Sequence, residues 1–508
     1  MAVEEDVATK HSGDLKVTTS SPSSLKDDAP GTIEAGTASG ATVSPEHFAH
    51  EAALVLKFDL RILPVLAFMY LCNSLDKGNL GNAKTDHMED DLNFKDNQYN
   101  IILSVFFVPY VIFAAPIAFL GKKYGPSVVL PILMASFGSF TLLSAAVHNF
   151  GGMMAVRWFL GMSESAFFPL VIYYLTTFYR RGELARRLSL FYAASNIANA
   201  FSGLLAFGVF QIDSSLPGWR YLFLIEGAAT LLFSVFAFFY LPRSAAEAKF
   251  LSDDERRIAF ARIQQDSSSV VNEEFNLRDA LKIFSYVSTY AFLAIEVCLG
   301  VPLQSVNQFL PQIVSRLGYS TVKTNLYTVA PNIVGAVVLL ILAFASDYSR
   351  IRFPFIALGF LLTFLGFIVY ATIDNVQADI RVAYFACFMM TWGTAAPSVL
   401  LSTWYNNNVA HEGRRVTLTA VGVPLANLMG VVSSNIFRNQ DAPKYMPALV
   451  TTAAFGAAGV VATLLLGAYM MVDNARRDRR QGLKRKAREV STEILREGPA
   501  SEHFRWFL

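Results

Sequence analysis

Arg157-Trp158-Phe159-Leu160-Gly161-Met162-Ser163-Glu164-Ser165-Ala166-Phe167-Phe168-Pro169 lies inside an apolar run from about Met153 to Phe178. The run is long enough to cross a bilayer at roughly 20 residues per crossing, yet it carries a cation and a carboxylate. A carboxylate near the middle of a span costs about 2.5–3.5 kcal/mol on insertion scales, so it normally faces a cavity or a partner and marks a path for ions or substrates. Arg157 and Glu164 are two helical turns apart and share a face, with Gly161 between them leaving space beside the backbone. Two readings stand: Glu164 belongs to a functional site, or Arg157 and Glu164 form an internal structural pair.

Outward from this stretch the same hydropathy recurs. The 508 residues are 53% hydrophobic and 16% charged, with mean hydropathy +0.39, which describes a membrane protein rather than a string of soluble domains. Spans are expected at about 60–75, 99–120, 127–147, 152–178, 187–210 and 219–241, and again at about 286–314, 322–345, 353–373, 381–404, 415–437 and 446–472. The chain is thus an all-α membrane protein of twelve transmembrane helices. It divides into a disordered arm (1–57), a six-helix half (58–241), a charged linker (242–285), a second six-helix half (286–472) and a basic tail (473–508). The arm is too polar to bury a core and lacks the basic-then-apolar start of a signal peptide. Within the linker, Leu251-Ser252-Asp253-Asp254-Glu255 reads as an N-capped helix start. Lys and Arg in short loops number ten on the linker side and eight on the other, so they decide little; the linker ends and the Arg-rich tail place both termini in the cytoplasm.

Several function classes drop out. Basic residues cluster in short loops and one tail, not on a stripe, which argues against nucleic acid. Cys72, Cys298 and Cys387 all fall inside spans, with neither disulfide nor metal spacing. His411-Glu412 lacks the second histidine of a zinc helix, and there is no phosphate-cradling loop for ATP. No cofactor, metal or enzymatic activity is expected.

Few polar residues lie inside the spans, which makes them informative. Asp76 and Lys77 either line a cavity on a longer first helix or cap its exposed end. In the seventh span Gln304, Asn307 and Gln308 form a polar stripe, suited to lining a cavity or to bonding between helices. Asn196 and Asn199 in the fifth span and Asn427 in the eleventh raise the same choice, and Trp392 is suited to stacking on a planar substrate or to packing. Arg220 and Glu226, six residues apart, cannot pair along one helix face and are read as structural.

Two six-span halves joined by a linker is the architecture of major facilitator transporters, whose parallel halves enclose a midplane site. Gly121-Lys122-Lys123-Tyr124-Gly125-Pro126 echoes Ser346-Asp347-Tyr348-Ser349-Arg350-Ile351-Arg352 at the matching place in the second half. The second resembles the superfamily's loop signature, which makes Asp347 and Arg350 candidate gating residues. Asp76-Lys77-Gly78-Asn79-Leu80-Gly81-Asn82-Ala83, Arg157 through Pro169, Gly218-Trp219-Arg220-Tyr221-Leu222-Phe223-Leu224-Ile225-Glu226-Gly227, Trp404-Tyr405-Asn406-Asn407-Asn408 and the terminal Phe504-Arg505-Trp506 resemble the fungal allantoate permease group, anion:cation symporters of that superfamily. The resemblance covers about residues 58–508. It implies Asp76 and Glu164 as the protonation pair, Lys77 as the cation for a substrate carboxylate, and Arg157 as the partner that tunes Glu164. Relatives often carry arginine where Lys77 stands, so the charge is kept and the two-pronged grip is not. The implied activity is proton-coupled symport of a small organic anion, nicotinate-like or another monocarboxylate, by a monomer in a plasma membrane. Export of an acidic secondary metabolite and a transporter-like nutrient sensor are the alternatives.

Overall fold

The computed structural model describes residues 45–508 except 96, 180, 213–215, 267–276 and 491; several helix side chains, Asn196 among them, also lie outside the described set. The chain divides after residue 48, and the architecture is that of Ala49–Leu508. Twelve long helices run through it: α1 (Leu63–Thr85), α2 (Gln98–Tyr124), α3 (Pro126–Ser144), α4 (Phe150–Glu164 continuing as Phe167–Thr176), α5 (Arg181–Val209), α6 (Gly218–Tyr240), α7 (Val287–Ser315), α8 (Thr321–Ser349), α9 (Phe353–Thr372), α10 (Ile380–Asn408), α11 (Glu412–Ile436) and α12 (Met446–Gln481). Among the described residues ten of these are long and apolar enough to cross a membrane. α1 is set apart by its polar residues Asn73, Asp76, Asn79 and Asn82, all buried against neighbouring helices rather than turned to lipid.

Packing repeats between the halves. α1 lies on α5, α2 on α4, and α3 on both α4 and α6; in the second half α7 lies on α11, α8 on α10, and α9 on both α10 and α12. The loop echo in the sequence is therefore matched by pairwise helix contacts six helices apart. The halves meet through α5 with α8, α2 with α11, and α1 with α7. Glycine permits two of the closest approaches. A Cβ on Gly161 would stand 2.1 Å from the Phe106 carbonyl oxygen of α2, and one on Gly203 would stand 2.4 Å from Thr328 Oγ1 across the halves.

α4 breaks where the opening stretch ends. Pro169 has no N–H to donate to Ser165, so the regular ladder is interrupted between Glu164 and Phe167. The Ser165 hydroxyl turns back to the Met162 carbonyl at 2.7 Å. Glu164 thus sits at the last turn of a helix, in the body of the protein.

Helical structure begins earlier than the arm boundary at 57. Pro45–Arg61 is helical, and Leu54, Phe58 and Ile62 recur on one face and are buried. Arg187 of α5 grips Asp59 with two hydrogen bonds, 2.8 and 2.7 Å, and Lys57 pairs with Glu255 of the linker. The linker helix Asp253–Asp266 starts in a capping box: Glu255 N–H donates to Ser252 Oγ and Ser252 N–H to Glu255 Oε2. After the undescribed stretch, Asp279 bonds Lys282, His411 and Arg414, tying the linker to α11.

α12 continues beyond the expected end at 472, to Gln481, with an Asp473–Arg477 pair one turn apart at 2.8 Å. The tail then folds back. Phe504, Arg505 and Trp506 are buried, Trp506 Nε1 donates to Asp473, and the Phe507 carbonyl accepts from Trp404 and Asn408.

Candidate functional site

α1 stays helical through Asp76-Lys77 and on to Thr85, which puts both residues in the body of the helix and decides between the two sequence readings: they are not an exposed end. Being adjacent they point about 100° apart. Lys77 faces α4 and the cavity. Its Nζ stands 3.2 Å from Glu164 Oε2, donates to Asn73 Oδ1 at 3.2 Å and lies 5.0 Å from the centre of the Tyr110 ring. Neither Glu164 oxygen receives a well-aligned hydrogen bond, so the contact with Lys77 is an ion pair.

Asp76 points the other way, into the first half. It is 1% exposed, its two oxygens have no hydrogen-bond partner, and its electrostatic neighbours are Glu164, Arg157 and Lys77, with the Thr141 hydroxyl alongside. Glu226 of α6 joins this group: it is buried, both its oxygens lack partners, and it interacts with Asp76 and Arg157. Arg157, itself buried, lies in the field of all three carboxylates, yet among the described residues none of them comes within the 4.0 Å of an ion pair. Its guanidinium carbon is 5.9 Å from the centre of the Phe223 ring. Three carboxylates and two cations, all ionised, leave one net negative charge. One proton brings the cluster to neutrality, and a buried uncompensated charge is costly.

Beside this cluster a cavity of about 110 Å³ opens between the halves, lined from the first half by Tyr70, Lys77, Tyr110 and Asn199, and from the second by Glu296, Gln304, Asn307 and Asn427. Gln304, Asn307 and Gln308 do both things the sequence allowed. They border the cavity or the smaller space beside Arg157, and two of them bond across helices: Gln304 Nε2 donates to Asn427 Oδ1 at 3.0 Å and Asn199 Nδ2 to Asn307 Oδ1 at 3.3 Å, while Gln308 Nε2 donates within α7 to Gln304 Oε1 at 3.4 Å. Hydrogen bonds joining the halves gather at the end bearing the α1–α2 loop. There Asn100 donates to the Phe437 carbonyl, Ser104 contacts Ser434, and Asn325 donates to Thr85.

Some sequence readings change. The ion partner of Glu164 is Lys77, because α4 breaks just past Glu164 and the two-turn register with Arg157 does not bring the charges into contact. Trp392 does not line the cavity; its ring sits edge-on to Phe385 and Phe388 of its own helix. Of the two candidate gating residues, Asp347 pairs with Arg352 at 3.0 Å, and Arg350 adopts a left-handed conformation after α8 and is exposed. Arg220 caps the end of α3, donating to the Ala145 carbonyl at 2.6 Å, and stacks on Trp219. The Asn196 side chain lies outside the described residues. Glu296 and the buried position of Glu226 were missed as site features. For Glu296 the signal was present, a carboxylate within an apolar span.

Helical halves related by repeated packing around a polar cavity define a membrane transporter. A family model described as the Major Facilitator Superfamily matches residues 66–434. The chain belongs to that superfamily. It is 54% identical to an uncharacterized transporter of Schizosaccharomyces pombe over 90% of each chain. It is also 28% identical to the high-affinity nicotinic acid transporter of Saccharomyces cerevisiae, over 83% of this chain and 78% of that one. Among solved structures, a D-xylose-proton symporter superposes with a TM-score of 0.62 at 15% identity, over 80% of this chain and 97% of that one.

Proposed function

We propose that this transporter carries a small organic anion, a nicotinate-like monocarboxylate, together with a proton. The observation that carries the reading is the Lys77–Glu164 ion pair at 3.2 Å on the wall of the cavity. Lys77 reaches the cavity with 29% of its side chain exposed while Glu164 is fully buried behind it, so an entering carboxylate can take Lys77 from Glu164. Glu164 then loses its counter-charge, and a proton replaces it. Substrate and proton are thereby linked through one lysine. Asp76 and Glu226, with Arg157 between them in the same field, are further places for the charge to settle. The nicotinic acid relative supports an aromatic monocarboxylate as the first substrate to try. Both termini and the linker are assigned to the cytoplasm, and the membrane to the plasma membrane. The test is uptake of radiolabelled small carboxylates in a transport-null yeast at two external pH values. Uptake that rises at the lower pH and is lost in Lys77→Ala supports the reading; a substrate taken up equally at both pH values contradicts the coupling.

A further inference from the structure

Glu296 is the acidic side chain that the second half presents to the cavity, and the charge cluster of the first half does not use it. It lies in the middle of α7 and is 4% exposed. Among the described residues no cation pairs with it and no donor bonds it, and the titratable group in its field is the Tyr405 hydroxyl. Gly422 of α11 leaves the space beside it open. A Cβ there would be 3.7 Å from Glu296 Oε1 and 3.7 Å from the Tyr405 hydroxyl, a hydroxyl that is buried without a hydrogen-bond partner. A buried carboxyl group without a counter-charge is costly to ionise, and a ligand group that bonds or charges it removes that cost. The cavity therefore has a cation at one wall, Lys77, and an unpartnered carboxyl group at another, with the aromatic rings of Tyr70, Tyr110 and Phe168 also lining it.

We infer that Glu296 binds a basic nitrogen of the substrate. The substrate class, which rests on the carboxylate reading above, narrows to small carboxylic acids that also carry a nitrogen: the Glu296 carboxyl, when protonated, donates its proton to a heteroaromatic ring nitrogen, and when ionised it faces a cationic one. Lys77 holds the carboxylate end and Glu296 the nitrogen end. An aromatic ring joining the two lies flat against the tyrosine faces, where a cationic ring gains further attraction.

Two isosteric pairs separate this role from others: N-methylnicotinate with 3-methylbenzoate, and nicotinate with benzoate. Binding of each is measured by competition on the full-length purified protein, and transport in proteoliposomes with and without an inward proton gradient. The wild-type protein is expected to favour the nitrogen-bearing member of at least one pair by about tenfold or more, the scale of a charge contact for N-methylnicotinate or of a hydrogen bond to the ring nitrogen for nicotinate. Glu296→Gln is expected to reduce that preference to near unity, with Glu296→Asp retaining part of it as the check on folding. Lys77→Ala is expected to weaken both members alike. Equal wild-type affinity within both pairs overturns the inference while leaving the carboxylate reading intact. So does a preference that survives in Glu296→Gln; if proton-driven uptake is then lost for both members, Glu296 is a proton carrier instead. Binding of none of the four acids overturns the carboxylate reading and this inference with it.

Discussion

In the proposed mechanism substrate binding and proton coupling converge on Lys77, because its ammonium group is shared between Glu164, Asn73 and the face of Tyr110 while part of it remains open to the cavity. A lysine is a point charge on a flexible stem, able to swing from one carboxylate to another, where an arginine fork in the same place would hold Glu164 in a fixed geometry. Lys77→Ala is expected to weaken carboxylate binding by at least about tenfold, the loss of one charge-assisted bond in a desolvated site. Competition binding on purified protein checks it, and unchanged apparent affinity removes Lys77 from the site. Lys77→Arg is expected to keep binding but slow turnover. The residue scale is also where sequence reading did best and worst. A charged side chain in an apolar span is visible without any structure, which is why Asp76, Lys77, Arg157 and Glu164 stand out in the sequence. The partner each one takes depends on helix rotation and on the break at Ser165-Ala166, and of the two readings of Arg157 and Glu164 the direct pair is not formed.

At the scale of elements, α4 is positioned by what it lacks. Gly161 lets it settle against the backbone of α2, where any side chain would collide with the Phe106 carbonyl at 2.1 Å. Backbone cannot yield as a flexible side chain can, so Gly161→Ala is expected to destabilise by about 1–3 kcal/mol. It is also expected to shift Glu164 relative to Lys77. A lowered melting temperature in detergent, with impaired transport in whatever protein remains folded, checks this; a melting curve like the wild type's contradicts the packing. Helix ends were harder to read than helix centres. α1 runs past its expected end because Asn73 through Asn82 are polar residues with buried surroundings, which hydropathy alone takes for a loop. α12 runs on because its charged last turns are covered by the returning tail, a contact between residues far apart in sequence. The linker shows the opposite case, since Ser252 and Glu255 announce their cap locally.

For the whole molecule, the twelve-helix plan and its division into halves were legible because membrane depth forces one long apolar helix per crossing. The cavity was not, since it depends on which faces of α1, α5, α7 and α11 meet. The linker is held at Glu255, which pairs with Lys57, and then at Asp279, which pairs with Lys282, His411 and Arg414. At the second, Lys282 and then Arg414 keep the Asp279 carboxyl below its ordinary range. A depressed folded value means that stabilisation is present above the ordinary carboxylate range and is lost as pH falls through it. Asp279→Asn is thus expected to lower the melting temperature at neutral pH and to converge with the wild type in acid; an equal difference at every pH contradicts the ion-pair account. The central claim is that substrate and proton are coupled through the carboxylate behind Lys77. Its most direct test is Glu164→Gln in proteoliposomes, comparing accumulation under an inward proton gradient with exchange of labelled for unlabelled substrate. The account predicts that accumulation is abolished while exchange persists; full concentrative uptake by the variant would contradict it.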